Sequence, residues 1–78
     1  MYLTEAIYEL RIRRQTGQPF GLLFLDASGR VCKAENCRLR GGPDDRFLYY
    51  EDEGRPRQCR KRSLLKVRID GRWHNVSI

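Results

Sequence analysis

The run Pro19 to Asp26 reads Pro-Phe-Gly-Leu-Leu-Phe-Leu-Asp, bounded by Gly17 before it and Ser28-Gly29 after it. It is too short for a free-standing helix and rich in aromatic and aliphatic residues, so it reads as a strand. Side chains alternate along a strand, which sends Phe20, Leu22 and Phe24 one way and Leu23 and Leu25 the other. Both faces are apolar, and the pattern predicts that the rest of the chain supplies a covering layer on each side.

Ahead of this strand, Tyr2 to Gln15 fits two periods. As a helix, Thr4 serves as the N-cap, Glu5 favours the positive end of the helix dipole, Leu3 staples onto Tyr8, and Gly17 marks the stop. Ala6, Ile7 and Leu10 then share a stripe, and Glu9 lies four residues before Arg13 in the favourable order. As a strand, Tyr2, Ala6, Tyr8, Leu10 and Ile12 alternate with charged positions, although Leu3, Thr4 and Ile7 break the pattern. The helix is the better fit and would form one of the two layers.

Beyond Asp26, Ala27-Ser28-Gly29-Arg30 is a turn, and Val31 to Leu39 returns as the second strand of a hairpin. Cys32 and Ala34 are in one phase, Cys37 and Leu39 in the other, so an extra residue at Glu35 or Asn36 is needed to restore a common face. Residues 40–45 carry strong turn chemistry in Gly41-Gly42-Pro43. Arg46 to Asp52 reads as a strand with Phe47 and Tyr49 on one face and Leu48 and Tyr50 on the other, followed by a turn at Glu53-Gly54-Arg55-Pro56. Arg57 to Arg62 is polar and basic, either the start of a strand or a connector.

Ser63 to Ile69 and Arg72 to Ser77 flank Asp70-Gly71, the strongest short hairpin signal in the chain. A two-residue loop pairs Ile69 with Arg72, Arg68 with Trp73, Val67 with His74, Lys66 with Asn75 and Leu65 with Val76. Leu65, Val67, Ile69, His74 and Val76 then face the core. Lys66, Arg68, Trp73 and Asn75 form the opposite surface. The sum is an α+β or mainly β domain spanning residues 1–78: a short N-terminal helix and about five antiparallel strands in a meander, bent into an SH3-like or other small, partly open barrel.

Charge sharpens this picture. The net charge is +6, yet residues 1–54 sum to −1 and residues 55–78 to +7, with Asp70 the single acid in the second part. A one-sided basic field concentrates anionic partners. The candidate binding residues are therefore Arg55, Arg57, Arg60, Lys61, Arg62, Lys66, Arg68, Arg72, Trp73 and Asn75, cations for phosphates with Trp73 as a stacking plane for an unpaired base. Against this stands a purely structural account, in which Arg68 stacks on Trp73 across the hairpin and Glu51, Asp52 and Glu53 fold onto Arg55 and Arg57. The sequence carries no helix-turn-helix, RNA-recognition or zinc-finger pattern.

Other chemistry is poorly represented. Cys32, Cys37, Cys59 and His74 have four, twenty-one and fourteen residues between them, with no close pair of the kind zinc knuckles use, so no metal site is expected. An odd number of cysteines with no apolar leader reads as thiols in a reducing cytoplasm. No run approaches the roughly 20 apolar residues of a spanning helix, so no membrane association is expected. His74 falls opposite Val67 on the core side, and Ser28, Ser63 and Ser77 sit in no nucleophile motif, so no enzyme activity and no cofactor are expected. Gly41-Gly42-Pro43 lacks the lysine and following helix of a phosphate loop, and Asp44-Asp45 would repel phosphate.

The amphipathic start, the run Gly17 to Leu25, the basic strand, Arg57-Gln58-Cys59 and the closing hairpin at Asp70-Gly71 together resemble a family of short uncharacterised bacterial proteins, some associated with mobile elements. The resemblance implies no activity, cofactor or catalytic residue. Two functional readings follow from the residues. The first is a small non-enzymatic module that turns its basic C-terminal hairpin toward nucleic acid or an acidic protein surface. The second is a protein-interaction or structural module, acting through a strand edge or surface contacts without nucleic acid.

Overall fold

The computed structural model describes residues 1–41, 44–51 and 54–78. The chain is α+β: one N-terminal helix, α1 (Leu3–Thr16), and six strands, β1 (Phe20–Leu25), β2 (Val31–Gly41), β3 (Arg46–Glu51), β4 (Arg57–Arg60), β5 (Leu64–Ile69) and β6 (Arg72–Asn75). The first of the two readings of the opening segment is therefore the observed one. Its cap differs from expectation: Tyr2 is the N-cap, and the Glu5 carboxylate reaches back to accept a hydrogen bond from the Tyr2 amide at 3.1 Å. Thr4 lies two residues too far in to cap, Tyr8 is exposed, and Leu3 packs on the core instead of stapling to it. Gly17 ends the helix as expected, at φ 74°, a left-handed conformation that glycine adopts without strain.

The six strands form one antiparallel sheet in the order β4-β3-β2-β1-β5-β6. This corrects the meander and the barrel. The first four strands follow one another, but β5 crosses to the far side of β1, and no ladder joins β4 to β5 or β6, so the sheet is open with β4 and β6 at its edges. It is nonetheless strongly curled. Strands stand about 4.8 Å apart, so a flat sheet would separate β4 from β5 by about 19 Å. Yet only the 3-10 turn Lys61–Ser63 joins them, and four Cα steps span at most about 15 Å.

Curling puts one face inside. Phe20, Leu22 and Phe24 of β1, Ala34 and Cys37 of β2, Phe47 and Tyr49 of β3, Cys59 of β4 and Leu64, Val67 and Ile69 of β5 join Ala6 and Leu10 of α1 in a single core. The bulge expected in the second strand is present. Phe20 pairs with Cys37 but Leu22 pairs with Ala34, and Asn36 takes φ 58°, which returns Ala34 and Cys37 to the same face.

Two inward assignments fail. The second face of β1 has no covering layer, since Leu23 is half-buried and Leu25 exposed. Leu23 lies between Lys33 and Lys66 in register, and their aliphatic stems flank it in place of a layer. A second bulge, between the pairs Leu23–Lys66 and Phe24–Leu64, slips the start of β5 by one residue. Leu64 consequently enters the core and Leu65 is left 37% exposed.

The β5–β6 hairpin keeps the register expected from Asp70-Gly71: Ile69 with Arg72, Arg68 with Trp73, Val67 with His74 and Lys66 with Asn75. Asp70 at φ 53° and Gly71 at φ 80° give the two left-handed residues that such a turn requires. Arg13 ties this turn to the helix. Only 7% exposed, it donates to the Glu9 carboxylate at 2.6 Å and to Asp70 at 3.1 Å, which holds the hairpin tip against the last turn of α1. The far end of the hairpin is tied as well: the Met1 amino group donates to the Asn75 carbonyl at 2.7 Å, and Leu3 N–H to the Ser77 carbonyl at 2.8 Å.

Candidate nucleic-acid interface

The predicted site residues fall toward the two ends of the strand order. Lys66, Arg68, Arg72, Trp73 and Asn75 belong to the β5–β6 hairpin, with Lys66, Arg68, Trp73 and Asn75 on its outer face. Arg55, Arg57, Arg60, Lys61 and Arg62 belong to β4 and its flanks, at the opposite edge of the sheet. The sequence placed all ten in one neighbourhood because they are close along the chain; the crossover from β4 to β5 separates them.

On the hairpin side, two cross-strand rows define the surface. Lys33, Leu23, Lys66 and Asn75 form one row across β2, β1, β5 and β6, and Gly21, Arg68 and Trp73 form the next. Gly21 is the floor for the indole. A Cβ there would stand 3.1 Å from the Trp73 ring and 3.0 Å from Arg68 Cβ, tighter than most side-chain contacts, so any other residue would require Trp73 and Arg68 to give way by a few tenths of an ångström. Over Gly21 the ring meets two cations, Lys33 Nζ at 5.6 Å and the Arg68 guanidinium carbon at 5.9 Å from its centroid. The expected Arg68–Trp73 stacking is thus present.

Lys33 was missed by sequence reasoning. Its position on the outward phase of β2 was legible, but its approach to Trp73 depends on the order β2-β1-β5-β6, which no local pattern reveals. Among the described residues its one ion pair is with Glu35 at 3.5 Å, both side chains more than half exposed. No described carboxylate pairs with Lys66, Arg68 or Arg72.

On the β4 side the basic residues are differently engaged. Lys61 Nζ sits over the Phe47 ring at 5.5 Å, and Arg60, Lys61 and Arg62 share a cleft with Asp44, Asp45, Leu3 and Ile7. The proposed neutralisation of Arg55 and Arg57 by Glu51 is not formed: the Glu51 carboxylate instead accepts the Glu35 amide at 3.2 Å. Asp52 and Glu53, the other members of that acidic run, and the Gly42-Pro43 turn lie outside the described residues.

The titratable groups inside the fold serve structure. The Asp26 carboxylate accepts the Ser28 hydroxyl at 2.7 Å and the amides of Ser28 and Arg30, closing the β1–β2 turn, and these bonds, the Ser28 hydroxyl first, hold its pKa below the usual value. Burial, and then its contact with the Asp26 carboxylate, push the Cys32 thiol upward. Cys59 is driven by burial to about 12. His74 is half-buried opposite Val67. Among the described residues no three His, Cys, Asp or Glu side chains are grouped to hold a metal ion, and no helix is long and apolar enough to cross a membrane.

These environments predict a graded thiol reactivity. At pH 8 the native protein should release about one equivalent of thiolate chromophore to Ellman's reagent, slowly and from half-buried Cys32, and three equivalents once unfolded in guanidinium. Rapid reaction of all three thiols in the native protein would contradict the burial of Cys37 and Cys59.

Comparison with known proteins adds no relative: no family model, curated protein or solved structure matches the chain.

Proposed function

We propose that the chain is a small non-enzymatic binding module that engages an anionic partner, nucleic acid foremost, through the outer face of the β5–β6 hairpin. The observation that carries this reading is the grouping of Lys33, Lys66 and Arg68 around Trp73, with Arg72 and Asn75 on the same hairpin. Cations within reach of an aromatic plane suit a single strand, whose phosphates they neutralise while a base stacks on the ring. Trp73 keeps one side against Gly21, so a base has only the other side to use and competes there with the Lys33 and Arg68 side chains.

Trp73 is the chain's single tryptophan, so its fluorescence reports on this face alone. Titration with mixed-sequence single-stranded and duplex oligonucleotides should shift its emission. Affinity should fall between 50 and 200 mM salt with a log–log slope of about −2 to −4, the value for three to five neutralised phosphates. Arg68→Ala with Trp73→Ala, followed by anisotropy of a labelled oligonucleotide, should remove most of the binding while leaving the circular dichroism spectrum unchanged. Absence of binding at 50 mM salt would rule the reading out.

A second reading, interaction with another protein chain through a strand edge, is favoured by one feature: β4 ends the sheet with no described residue paired to its outer side.

A further inference from the structure

The edge of β4 has its own chemistry. The Lys61 amide donates to the Asp45 carbonyl at 2.9 Å, and the β3–β4 register pairs Phe47 with Cys59 and Tyr49 with Arg57. Antiparallel ladders alternate hydrogen-bonded and non-hydrogen-bonded pairs, so Arg57, Cys59 and Lys61 spend their backbone groups on β3. The amides of Gln58 and Arg60 and the carbonyl of Gln58 therefore point out of the sheet, while the Arg60 carbonyl accepts the Cys59 thiol at 3.4 Å. They face a cleft of about 550 Å³, whose far wall is Phe24, Leu25, Asp26 and Ala27 at the end of β1. That volume lies within the range of ligand-holding clefts, about 300–1,000 Å³. The cleft occupies the gap where the curled sheet fails to close.

The lining carries two carboxylates, Asp26 and Asp45, and two guanidinium groups, Arg46 and Arg60, so the unpaired positive charge is that of β4 itself. Asp26 is committed to Ser28, Arg30 and Cys32, and Asp45 is paired with Arg46 at 3.3 Å. Arg46 also donates to the Gln58 side chain at 2.8 Å. Arg60 is exposed and has no ion-pair partner among the described residues, as has Arg57 at the other end of the strand. A second copy of β4 is a poor occupant: the antiparallel registers that join the outward backbone of Gln58 and Arg60 to itself set Arg55 or Arg57 across from Lys61, or Arg60 across from Arg60, and like charges directly opposite destabilise a ladder.

We infer that β4 and this cleft take up an extended acidic peptide segment of another protein, which adds as a further strand. Its backbone pairs with Gln58 and Arg60, and its carboxylates lie on the outer face of the sheet beside Arg60. This rests on the strand-edge reading and adds to it the chemistry of the partner. It is independent of the hairpin face at the opposite edge.

The test uses the full ¹⁵N-labelled chain and two capped heptapeptides of alternating charged and valine residues, one with glutamate and one with lysine. The glutamate peptide should shift the Gln58 and Arg60 amides and slow their hydrogen exchange, leave Trp73 unmoved, and bind at least tenfold more tightly than the lysine peptide. N-methylation of alternate peptide residues should abolish binding in one of the two frames. Arg57→Glu with Arg60→Glu, both at exposed positions, should reverse the preference. Equal binding of both peptides at Gln58 and Arg60 would leave a strand-edge site standing but overturn the acidic partner. Shifts confined to β6, no shifts at millimolar peptide, or a β4-mediated dimer seen by light scattering would overturn the proposal outright.

Discussion

Tyr49→Ala should lower the unfolding free energy by about 3–5 kcal/mol, the usual cost of removing a buried aromatic ring. Tyr49 is 1% exposed and stands on the inner face of β3. Its ring meets Phe24 of β1 edge-to-face, with centroids 6.1 Å apart and planes at 78°. The contact spans the interior of the curled sheet and couples the β2–β3–β4 half to the strands around β1. A chain of 78 residues carries roughly 4–12 kcal/mol of total stability at the usual value per residue, so the substitution removes about a quarter or more of it. Urea unfolding followed by circular dichroism measures the effect as a fall in midpoint. Tyr49→Phe keeps the ring contact and should cost less than about 1.5 kcal/mol. A loss below 1 kcal/mol for Tyr49→Ala would mean that the inner face of β3 is not a packed core.

Alternation set Tyr49 with Phe47 on one face of its strand and expected both faces to be covered, whereas Leu48 and Tyr50 are only half-buried, and this marks how far local pattern reaches. Alternation in Arg46 to Glu51, the bulge near Asn36 and the hairpin at Asp70-Gly71 are decided by neighbouring residues, and the structure has all three. The helix was legible too, because Gly17 and the Glu9–Arg13 spacing are local signals. What local pattern does not contain is strand order. Nothing in Arg57 to Ser63 announces that the chain leaves one edge of the sheet and resumes beside β1, so the meander was the default and the barrel followed from it. The second bulge, at Leu65, was hidden for a related reason: two adjacent leucines give alternation no means of deciding which one faces inward, and only pairing with Phe24 decides it.

The same limit governs the site. The hairpin face was assembled correctly from register, and its four outer residues Lys66, Arg68, Trp73 and Asn75 are neighbours. The five cations from Arg55 to Arg62 were added to it by proximity along the chain, and the topology sends them to the other edge. Gly21 carried a signal of a close approach that the reading of the sequence did not use. A glycine inside an apolar strand marks a place where something lies against the backbone, and here it is the Trp73 ring.

The largest dependence on solution conditions should appear at high pH. Cys59 and Tyr49 are both buried, and both ionise to anions that the core cannot solvate; burial is the leading cause in each case, and each is raised to about 12, from 9.0 for the thiol and 10.0 for the phenol. The folded chain therefore holds these protons where the unfolded chain has released them. Stability from this source is complete below about pH 9 and falls as pH rises toward 12. At about 1.36 kcal/mol per pKa unit, Cys59 alone accounts for about 4 kcal/mol across that window and Tyr49 for about 3. The two anions would repel each other across the core, so both ionise together with unfolding. Cys32, whose thiol is also raised by burial, adds to the fall in the same direction. Urea midpoints at pH 8, 9.5, 10.5 and 11.5 should decline progressively, with tyrosine absorbance near 295 nm rising in step with unfolding. Cys59→Ala should start lower, from the lost packing, and decline less steeply, while stability that stays flat to pH 11.5 would show that neither group is held in the protonated form by the fold.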